Sequence, residues 1–290
     1  MATTIDALAV VHGGTLHHGA LKLADQAVRR ALAVDSVDAN DVDLLVNAGL
    51  FHDRILGEPA LAALIQEDVG ANPEDPHGDG HGTFSFDVAN GAAGVLSALQ
   101  IVDGFLRAGT IRRAVVVAGD ADPGHGMAPG FPYDPAGAAL VCSSDGTDDG
   151  FVGFRWLTCP DAPARRDATI ALDHGRNHLL VREDEAFAAE AAAVAGQVAT
   201  ELLAEHGLRP GDIAAVAAAP FDATFIDALT EHLAVPADRF ARPGPARWHT
   251  AGLVAALDAV TAGPPAADGE WILLVAAGAG VSAGAALLRR

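Results

Sequence analysis

Apolar and polar positions along the chain alternate between helical and strand spacing. In "ALKLADQAVRRALAV" the apolar residues recur every three or four positions, which predicts an amphipathic helix. "PALAALIQEDVG" predicts a second helix, which begins at a proline and ends at Gly70. Between and after them, "DLLVNAGL" and "RRAVVVAGDAD" are continuous apolar runs of strand length. Helices that alternate with buried strands predict an α/β fold with largely buried sheets.

The segment "FSFDVANGAAGVLSALQ" combines three elements in a short space. It predicts a short buried strand, a turn of small residues, and a buried helix over residues 95–108. A tight strand-to-helix turn is where many enzymes present a nucleophile, because backbone N–H groups at the helix N-terminus are free to bind an oxyanion. The turn residues Asn90, Gly91, Ala92 and Ala93 include no Ser, Cys or Lys. Further on, "PAGAALVCSS" and "VGFRWLTC" predict two paired strands.

The order of elements repeats along the chain. Helix, polar turn and buried strand in "LADQAVRRALAVDSVDANDVDLLVNAGLFHD" return in "FAAEAAAVAGQVATELLAEHGLRPGDIAAVAAAPFD". The strand "AGAALVCSS" likewise has a counterpart in "SAGAALLRR". A repeat of roughly a hundred residues is too long for a solenoid unit. The pattern therefore predicts two similar α/β halves, over residues 1–165 and 166–290.

Composition narrows the classes of function. The formal net charge is −20 and Lys22 is the only lysine, which argues against binding nucleic acid or an anionic membrane surface. The N-terminal segment lacks a signal-peptide pattern, and no uninterrupted apolar run is long enough to span a membrane. Cys142 and Cys159 do not form a disulfide framework, and neither has an evident catalytic base. These features predict a cytoplasmic protein.

One loop has the composition of a metal site. His77, Asp79 and His81 alternate in "PHGDGHG", which could suit a divalent cation. A solvated glycine-rich loop is the favoured interpretation, because no second ligand cluster has metal-site spacing. We therefore expect no metal and no cofactor. Three further histidines near a glycine turn are interpreted as polar loop residues: His12, His17 and His18.

Seven segments in order resemble the type III ketoacyl synthases, a branch of the thiolase superfamily. The elbow segment resembles that family's FDVxxACAGFxxAL motif, and "YDPAGAALV" resembles its FGDGAGAVVL hairpin. "RWHTAGLVAALDAV" resembles HGNTSAASxPxALDEA, and "LLVAAGAGVSAGAALLRR" resembles the closing LLxxFGGGFTWGSALVRF. The resemblance implies a thiolase fold, in which two similar α/β halves form layers in the order α-β-α-β-α.

The resemblance also implies where the catalytic residues of the family would fall. Its nucleophilic Cys corresponds to Ala92, and its Asn corresponds to His249. Its His corresponds to Ala219, or to Phe221 if the register is shifted. The glycine-rich oxyanion loop, with one glycine replaced by alanine, corresponds to Gly278, Ala279 and Gly280.

Two further departures concern acyl-donor binding. The family has a segment between its first strand and first helix that binds coenzyme A, whereas "VVHGGTLHHGALKLAD" passes directly from strand to helix. The family's basic residues that contact acyl carrier protein correspond to Thr224, Glu231 and His232. An acidic residue there opposes an acidic carrier protein. None of the family's three catalytic residues is retained, and His249 is the one polar replacement.

Three functions remain open at this stage. The first is a non-catalytic subunit that forms a heterodimer or heterotetramer with a type III ketosynthase of intact Cys-His-Asn triad and reaches acyl thioesters through it. This arrangement resembles the cysteine-less subunit of alkylquinolone synthase. The second is an acyltransferase, hydrolase or lyase that uses His249 without a covalent acyl intermediate. The third is a scaffold homodimer whose tunnel is filled by Trp248, Phe221 and Phe225.

Overall fold

A computed structural model describes residues 2–14, 19–55, 57–72, 82–144, 146, 149–159, 165–173, 175–242, 244–262, 269–278 and 282–290. The strands are β1 (Thr4–His12), β2 (Leu44–Asn47), β3 (Phe84–Asp87), β4 (Arg113–Asp120), β5 (Ala136–Ser143), β6 (Gly150–Thr158), β7 (Arg166–Asp173), β8 (Arg176–Glu183), β9 (Ile213–Ala219), β10 (Trp271–Gly278) and β11 (Ser282–Arg289). The α-helices are α1 (Ala20–Val34), α2 (Leu61–Val69), α3 (Gly94–Arg107), α4 (Phe187–Glu205), α5 (Ala223–Leu233) and α6 (Gly252–Thr261).

Two sheets of equivalent topology form the core. The first has the order β1-β5-β4-β2-β3 and the second has the order β6-β11-β10-β9, with β7 and β8 forming a separate hairpin. Strand directions correspond, since β4 is antiparallel to β5 and parallel to β2, as β10 is to β11 and β9. A parallel bridge from Val216 to Phe240 occupies the position that β3 holds in the first sheet.

Helices α3 and α6 lie between the two sheets, while α1 and α2 cover the first sheet and α4, with α5 packed against it, covers the second. The α-β-α-β-α layering is therefore confirmed. Strand β4 has apolar side chains on both faces, because Val115 and Val117 pack under α1 while Ala114 and Val116 face the middle helices. The division at residue 165 stays a prediction, and β6, which precedes it, belongs to the second sheet.

Two predictions about strands are wrong. The segments now seen as β5 and β6 do not pair with each other, because β5 lies between β1 and β4 while β6 crosses over to pair with β11. An apolar strand buried on both faces needs neighbours on both sides, which a hairpin with β6 alone would not supply. Strand β3 is not buried, since it pairs with β2 at the edge of its sheet and the side chain of Phe84 is 60% exposed.

Helix α4 is the one helix among the described residues that is long and apolar enough by composition to cross a membrane. It packs instead on β6, β10, β11 and α5, with Phe187, Ala195 and Leu202 buried. A core helix passes the same test of length and composition, so α4 is explained by its position in the second sheet's outer layer.

Two carboxyl groups meet where α1 packs against α2. Burial and a hydrogen bond with Asp68 raise the pKa of Asp25 from 3.8 to about 7, although Arg29 opposes the shift. One oxygen of Asp25 is buried with no hydrogen-bond partner. A folded-state pKa above the unfolded value means that this group contributes stability at low pH, and that the contribution is lost as the pH rises through 7.

We therefore expect Asp25→Asn to melt at a higher temperature than the wild type at pH 8, because asparagine cannot ionise in this half-buried position. The difference should narrow at pH 5, and scanning calorimetry across this range measures it. Asp35→Asn is the matched control, since Asp35 is exposed at the end of the same helix and the net charge changes equally. A D25N advantage that is equal at both pH values would contradict the raised pKa.

Candidate functional site

The predicted strand–turn–helix elbow is present. A single 3₁₀ turn joins β3 to α3, with Gly91 at a positive φ of 51° and both Ala92 and Ala93 fully buried. The carboxyl end of β10 touches this turn. A Cβ on Gly278 would lie 2.9 Å from the carbonyl oxygen of Asn90, so only glycine allows this approach without a shift. The elbow is therefore packed against the sheet of the other half.

No described residue at the elbow carries a nucleophile that is free to react. The hydroxyl of Ser97 donates to the carbonyl oxygen of Ala93 at 3.2 Å and accepts from Nδ2 of Asn90 at 2.9 Å, so it is held within its own helix. Burial raises the pKa of the Cys142 thiol, which lies in the core of β5. The methyl group of Ala92 cannot form an acyl-enzyme.

The end of β9 is apolar in either register considered from the sequence. Ala219 is fully buried and pairs with Ala276 of β10. Phe221 is 3% exposed and forms an antiparallel bridge with Trp248. Phe225 is fully buried in the same apolar cluster, which also contains Ala92. Of the side chains named as possible tunnel fillers, Phe221 and Trp248 therefore lie next to each other.

His249 is buried against a carboxylate that sequence reasoning missed. Nδ1 of His249 lies 3.2 Å from Oδ2 of Asp120, and the same oxygen accepts from N and Oγ1 of Thr250 at 2.9 and 2.5 Å. The other oxygen accepts from the backbone N–H groups of Leu50 and Phe51 at 2.9 and 2.6 Å. Five donors converge on one buried carboxylate, which fixes its position and favours its ionised form.

Aromatic rings enclose the imidazole. The ring of Tyr133 stacks on His249 with centroids 4.8 Å apart and planes at 26°, and the ring of Phe51 lies 4.8 Å away at 36°. Phe131 meets both Phe51 and Tyr133 edge-on. Tyr133 also lines a cavity of about 1080 Å³. The enclosure leaves His249 3% exposed.

These surroundings set the charge of the pair. Burial opposes ionisation of Asp120, but hydrogen bonds and the charge interaction with His249, together with bonds from Thr250 and Phe51, bring its pKa below the ordinary value. Burial also lowers the pKa of His249, and this effect outweighs the opposing influence of Asp120. The pair is thus carboxylate and neutral imidazole near pH 7, with Nδ1–H donating to Asp120 and Nε2 left as an acceptor.

Comparisons with known proteins show what the chain is similar to. The family model for the 3-oxoacyl-acyl-carrier-protein synthase III C-terminal region matches residues 203–290. The chain is 26% identical to the beta-ketoacyl-acyl-carrier-protein synthase III of Alkalilimnicola ehrlichii over 92% of this chain and 83% of that protein. It is 29% identical to the Sphingopyxis alaskensis protein of the same name over the same shares.

Solved structures extend the likeness to the whole fold. The 3-oxoacyl-acyl-carrier-protein synthase III from Aquifex aeolicus superposes with a TM-score of 0.82 at 18% identity and covers 100% of both chains. OleA from Xanthomonas campestris, solved with lauric acid and lauroyl-CoA, gives 0.82 at 15% identity and covers 100% of this chain and 99% of that one. The chain therefore has the thiolase fold of these structures, and its sequence is similar to those of beta-ketoacyl-acyl-carrier-protein synthases III.

Within this ketosynthase-like fold, the structure gathers most of the residues predicted from the resemblance. Ala92 and Ala219 lie in one apolar cluster, and Gly278 touches the elbow. His249 lies just before α6, the middle-layer helix, and its carbonyl accepts from the N–H of Gly252. Ala279 and Gly280, predicted in the oxyanion loop, lie outside the described residues. On α5, Thr224, Glu231 and His232 are all exposed.

The metal site considered from the sequence is not tested by the structure. His77, Asp79 and His81 lie outside the described residues, as do His17 and His18. Elsewhere in the described part of the chain, no group of three or more His, Cys, Asp or Glu side chains is placed to hold a metal ion. His12 contacts the ring of Trp248 at 4.7 Å, so it packs beside the altered site.

The main residue missed by sequence reasoning is Asp120. The run "RRAVVVAGDAD" predicts only a buried strand, yet Asp120 directly ends that strand, β4. A carboxylate that follows a run of buried apolar residues must find donors, which is the signal that could have identified it. Tyr133, the only tyrosine in the chain, likewise carries a polar group that needs a hydrogen-bond partner when it is buried.

Proposed function

We propose that this chain is a catalytically degenerate subunit that pairs with an active type III ketosynthase in an acyl-condensing enzyme. The supporting observation is the elbow itself, in which the turn, the helix and the contact with β10 are kept while the nucleophile position is the buried Ala92. Persistence of the framework without the chemistry is what a subunit selected for its surface would show. The active subunit supplies the Cys-His-Asn triad.

The edge strand β3 supports a role in pairing. Within the described chain it has one neighbour, β2, and the Phe84 ring is 60% exposed against Phe86 at 5.2 Å. The N–H groups of Phe84 and Val88 donate to the carbonyl oxygens just before β2 and at its end, so the alternating N–H of Ser85 points away from this neighbour. An exposed, partly apolar strand edge is a template for pairing with another chain. The proposed partner strand comes from the active ketosynthase.

Acyl thioesters reach the complex through the partner in this proposal. The net charge of −20 and the exposed Glu231 on α5 make this chain a poor surface for an acidic carrier protein. The product is a β-keto acyl compound for a polyketide, fatty-acid-derived or quinolone-type metabolite. Like its partner, the chain works in the cytoplasm.

Reconstitution tests this proposal. The chain and the type III ketosynthase encoded nearest to it are purified separately and together, and condensation of acyl and malonyl thioesters is measured. We expect activity only when both chains are present, and intact-protein mass spectrometry should find the acyl adduct on the partner alone. Full activity of the ketosynthase by itself, or an acyl adduct on this chain, would overturn the proposal.

A second function is favoured by one specific observation, the buried Asp120–His249 pair. A neutral imidazole oriented by a carboxylate has the arrangement of a general base. Such an enzyme would be an acyltransferase, hydrolase or lyase that forms no covalent acyl intermediate. We expect His249→Ala to abolish turnover of acyl thioesters if this function holds, while Ser97→Ala, a substitution in the adjacent helix, should retain it. A chain that turns over no acyl thioester would exclude this function.

A further inference from the structure

The stack of rings on His249 continues to a buried cation. The Tyr133 ring contacts both the imidazole and the guanidinium of Arg166, since its centroid lies 4.8 Å from the His249 centroid and 5.3 Å from the Arg166 guanidinium carbon. A nitrogen of Arg166 also donates a hydrogen bond to the Tyr133 hydroxyl. Arg166 is 8% exposed and contacts the face of Phe187 at 5.6 Å. A chain of contacts therefore runs from Asp120 through His249 and Tyr133 to Arg166.

An ion pair holds the guanidinium of Arg166 in this position. Its Nε lies 3.5 Å from a carboxylate oxygen of Glu183, the last residue of β8, while Arg166 is the first residue of the antiparallel partner β7. Glu183 also contacts Arg247 at 3.6 Å, so its negative charge is shared. Burying a guanidinium costs free energy unless the charge is paired and hydrogen-bonded. Here Glu183 supplies the ion pair, the Tyr133 hydroxyl accepts a hydrogen bond, and the ring of Phe187 contacts the guanidinium as well.

We propose that Tyr133 and Arg166 are positioning residues that hold the imidazole of His249 neutral, protonated on Nδ1 and with Nε2 as the acceptor. A second positive charge on the imidazole would lie within about 10 Å of the guanidinium, and both groups are buried. Asp120 favours the proton on Nδ1, because a carboxylate can only accept. Asp120 thus selects the tautomer of His249, and Arg166 favours its uncharged form.

The direction of the pKa shift agrees with this arrangement. Burial lowers the pKa of His249 most, and Arg166 lowers it further, while Asp120 and Glu183 act in the opposite sense. Burial also raises the pKa of the Tyr133 hydroxyl, so this group stays a neutral acceptor for Arg166. The titratable groups facing His249 therefore come from the end of β4, from the start of β7, from the end of β8 and from the loop that carries Tyr133.

The inference names the kind of ligand that His249 would meet. An imidazole nitrogen kept as an acceptor suits a ligand group that donates a hydrogen bond or gives up a proton, such as a hydroxyl or the acidic carbon beside a thioester carbonyl. This last step rests on the second function proposed above. The positioning itself concerns this chain alone and does not depend on a partner subunit.

Nuclear magnetic resonance of histidine side chains tests the proposal. The chain contains 12 histidines, and the signals of His249 are identified by their loss in H249Q. In the wild type we expect the Nδ1–H tautomer near pH 7, and the titration is followed into the acidic range because burial lowers the pKa of His249. Arg166→Gln keeps a hydrogen-bonding group for Tyr133 but removes the charge. It should raise the pKa of His249 by about one unit, which is a tenfold change in proton affinity.

Arg165→Gln is the matched control. Arg165 is adjacent in sequence but pairs on the surface with Glu190 and Asp184, so R165Q should leave His249 unchanged. Tyr133→Phe removes the hydroxyl that fixes the guanidinium and should shift the titration in the same direction by less. Equal titration of His249 in R166Q and R165Q, or an Nε2–H tautomer in the wild type, would overturn the proposal. Either result would leave the partner-subunit function untouched, because no partner is present in the measurement.

Discussion

Replacing Ser85 with proline is expected to abolish the complex between this chain and its partner ketosynthase. The N–H of Ser85 points away from β2, so proline removes a hydrogen bond that only an added strand could use. The ladder between β2 and β3 keeps its bonds, because these come from the alternating N–H groups. Co-purification through a tag on the partner measures the effect, and we expect at least a tenfold loss of bound chain.

Ser85→Ala is the control for the side chain. The hydroxyl of Ser85 donates to Gln66 at 2.6 Å, and both substitutions lose this bond. Only S85P should lose the partner, while circular dichroism should show that both variants fold. If S85P binds as well as S85A, strand β3 does not form the interface and the pairing has to use another surface.

Removing the carboxylate of Asp120 should cause the largest loss of stability of any substitution considered. Asp120→Ala leaves the backbone N–H groups of Leu50 and Phe51 without their acceptor in the core. Breaking a buried charged network by deleting one member costs about 3–5 kcal/mol of the free energy of unfolding. Chemical denaturation measures this difference. The conservative Asp120→Asn should also destabilise, because its amide N–H₂ group would face donors on one side.

The same residue gives a pH dependence. The pKa of Asp120 is below its ordinary value in the folded chain, so its contribution to stability is present above about pH 4 and is lost as the pH falls through the folded-state pKa. D120N should therefore lose less stability than the wild type on acidification. Asp122→Asn is the control, since Asp122 is exposed and the one hydrogen bond described for its side chain comes from the N–H of Gly124. Equal stability of D120A and D122N would contradict the network.

Local features of the fold could be predicted because their signals are local. The end of α2 at Gly70 follows from a left-handed residue with φ of 80°, which glycine adopts without strain. The elbow follows from a strand of alternating aromatics and a run of small residues. The pairing of strands could not be predicted in the same way, because β5 and β6 are close in the chain and yet belong to different sheets.

The candidate site likewise has a part that could be predicted from the sequence and a part that could not. Absence of a nucleophile at Ala92 is visible in a few residues of sequence. The partner of His249 is not, because Asp120 lies 129 positions away and only the packing of α6 against the first sheet brings them together. Arg166 was not considered from the sequence at all, since the charge of an arginine at the start of a strand gives no sign that it will be buried beside the only tyrosine.

Native mass spectrometry of this chain co-expressed with the nearest encoded type III ketosynthase tests the central claim most directly. The account predicts a one-to-one pairing of the two chains, as a heterodimer or heterotetramer, with S85A present in it and S85P absent. A homodimer of this chain that ignores the ketosynthase would contradict the account. The intact elbow without a nucleophile would then be the framework of a scaffold or of an enzyme based on His249.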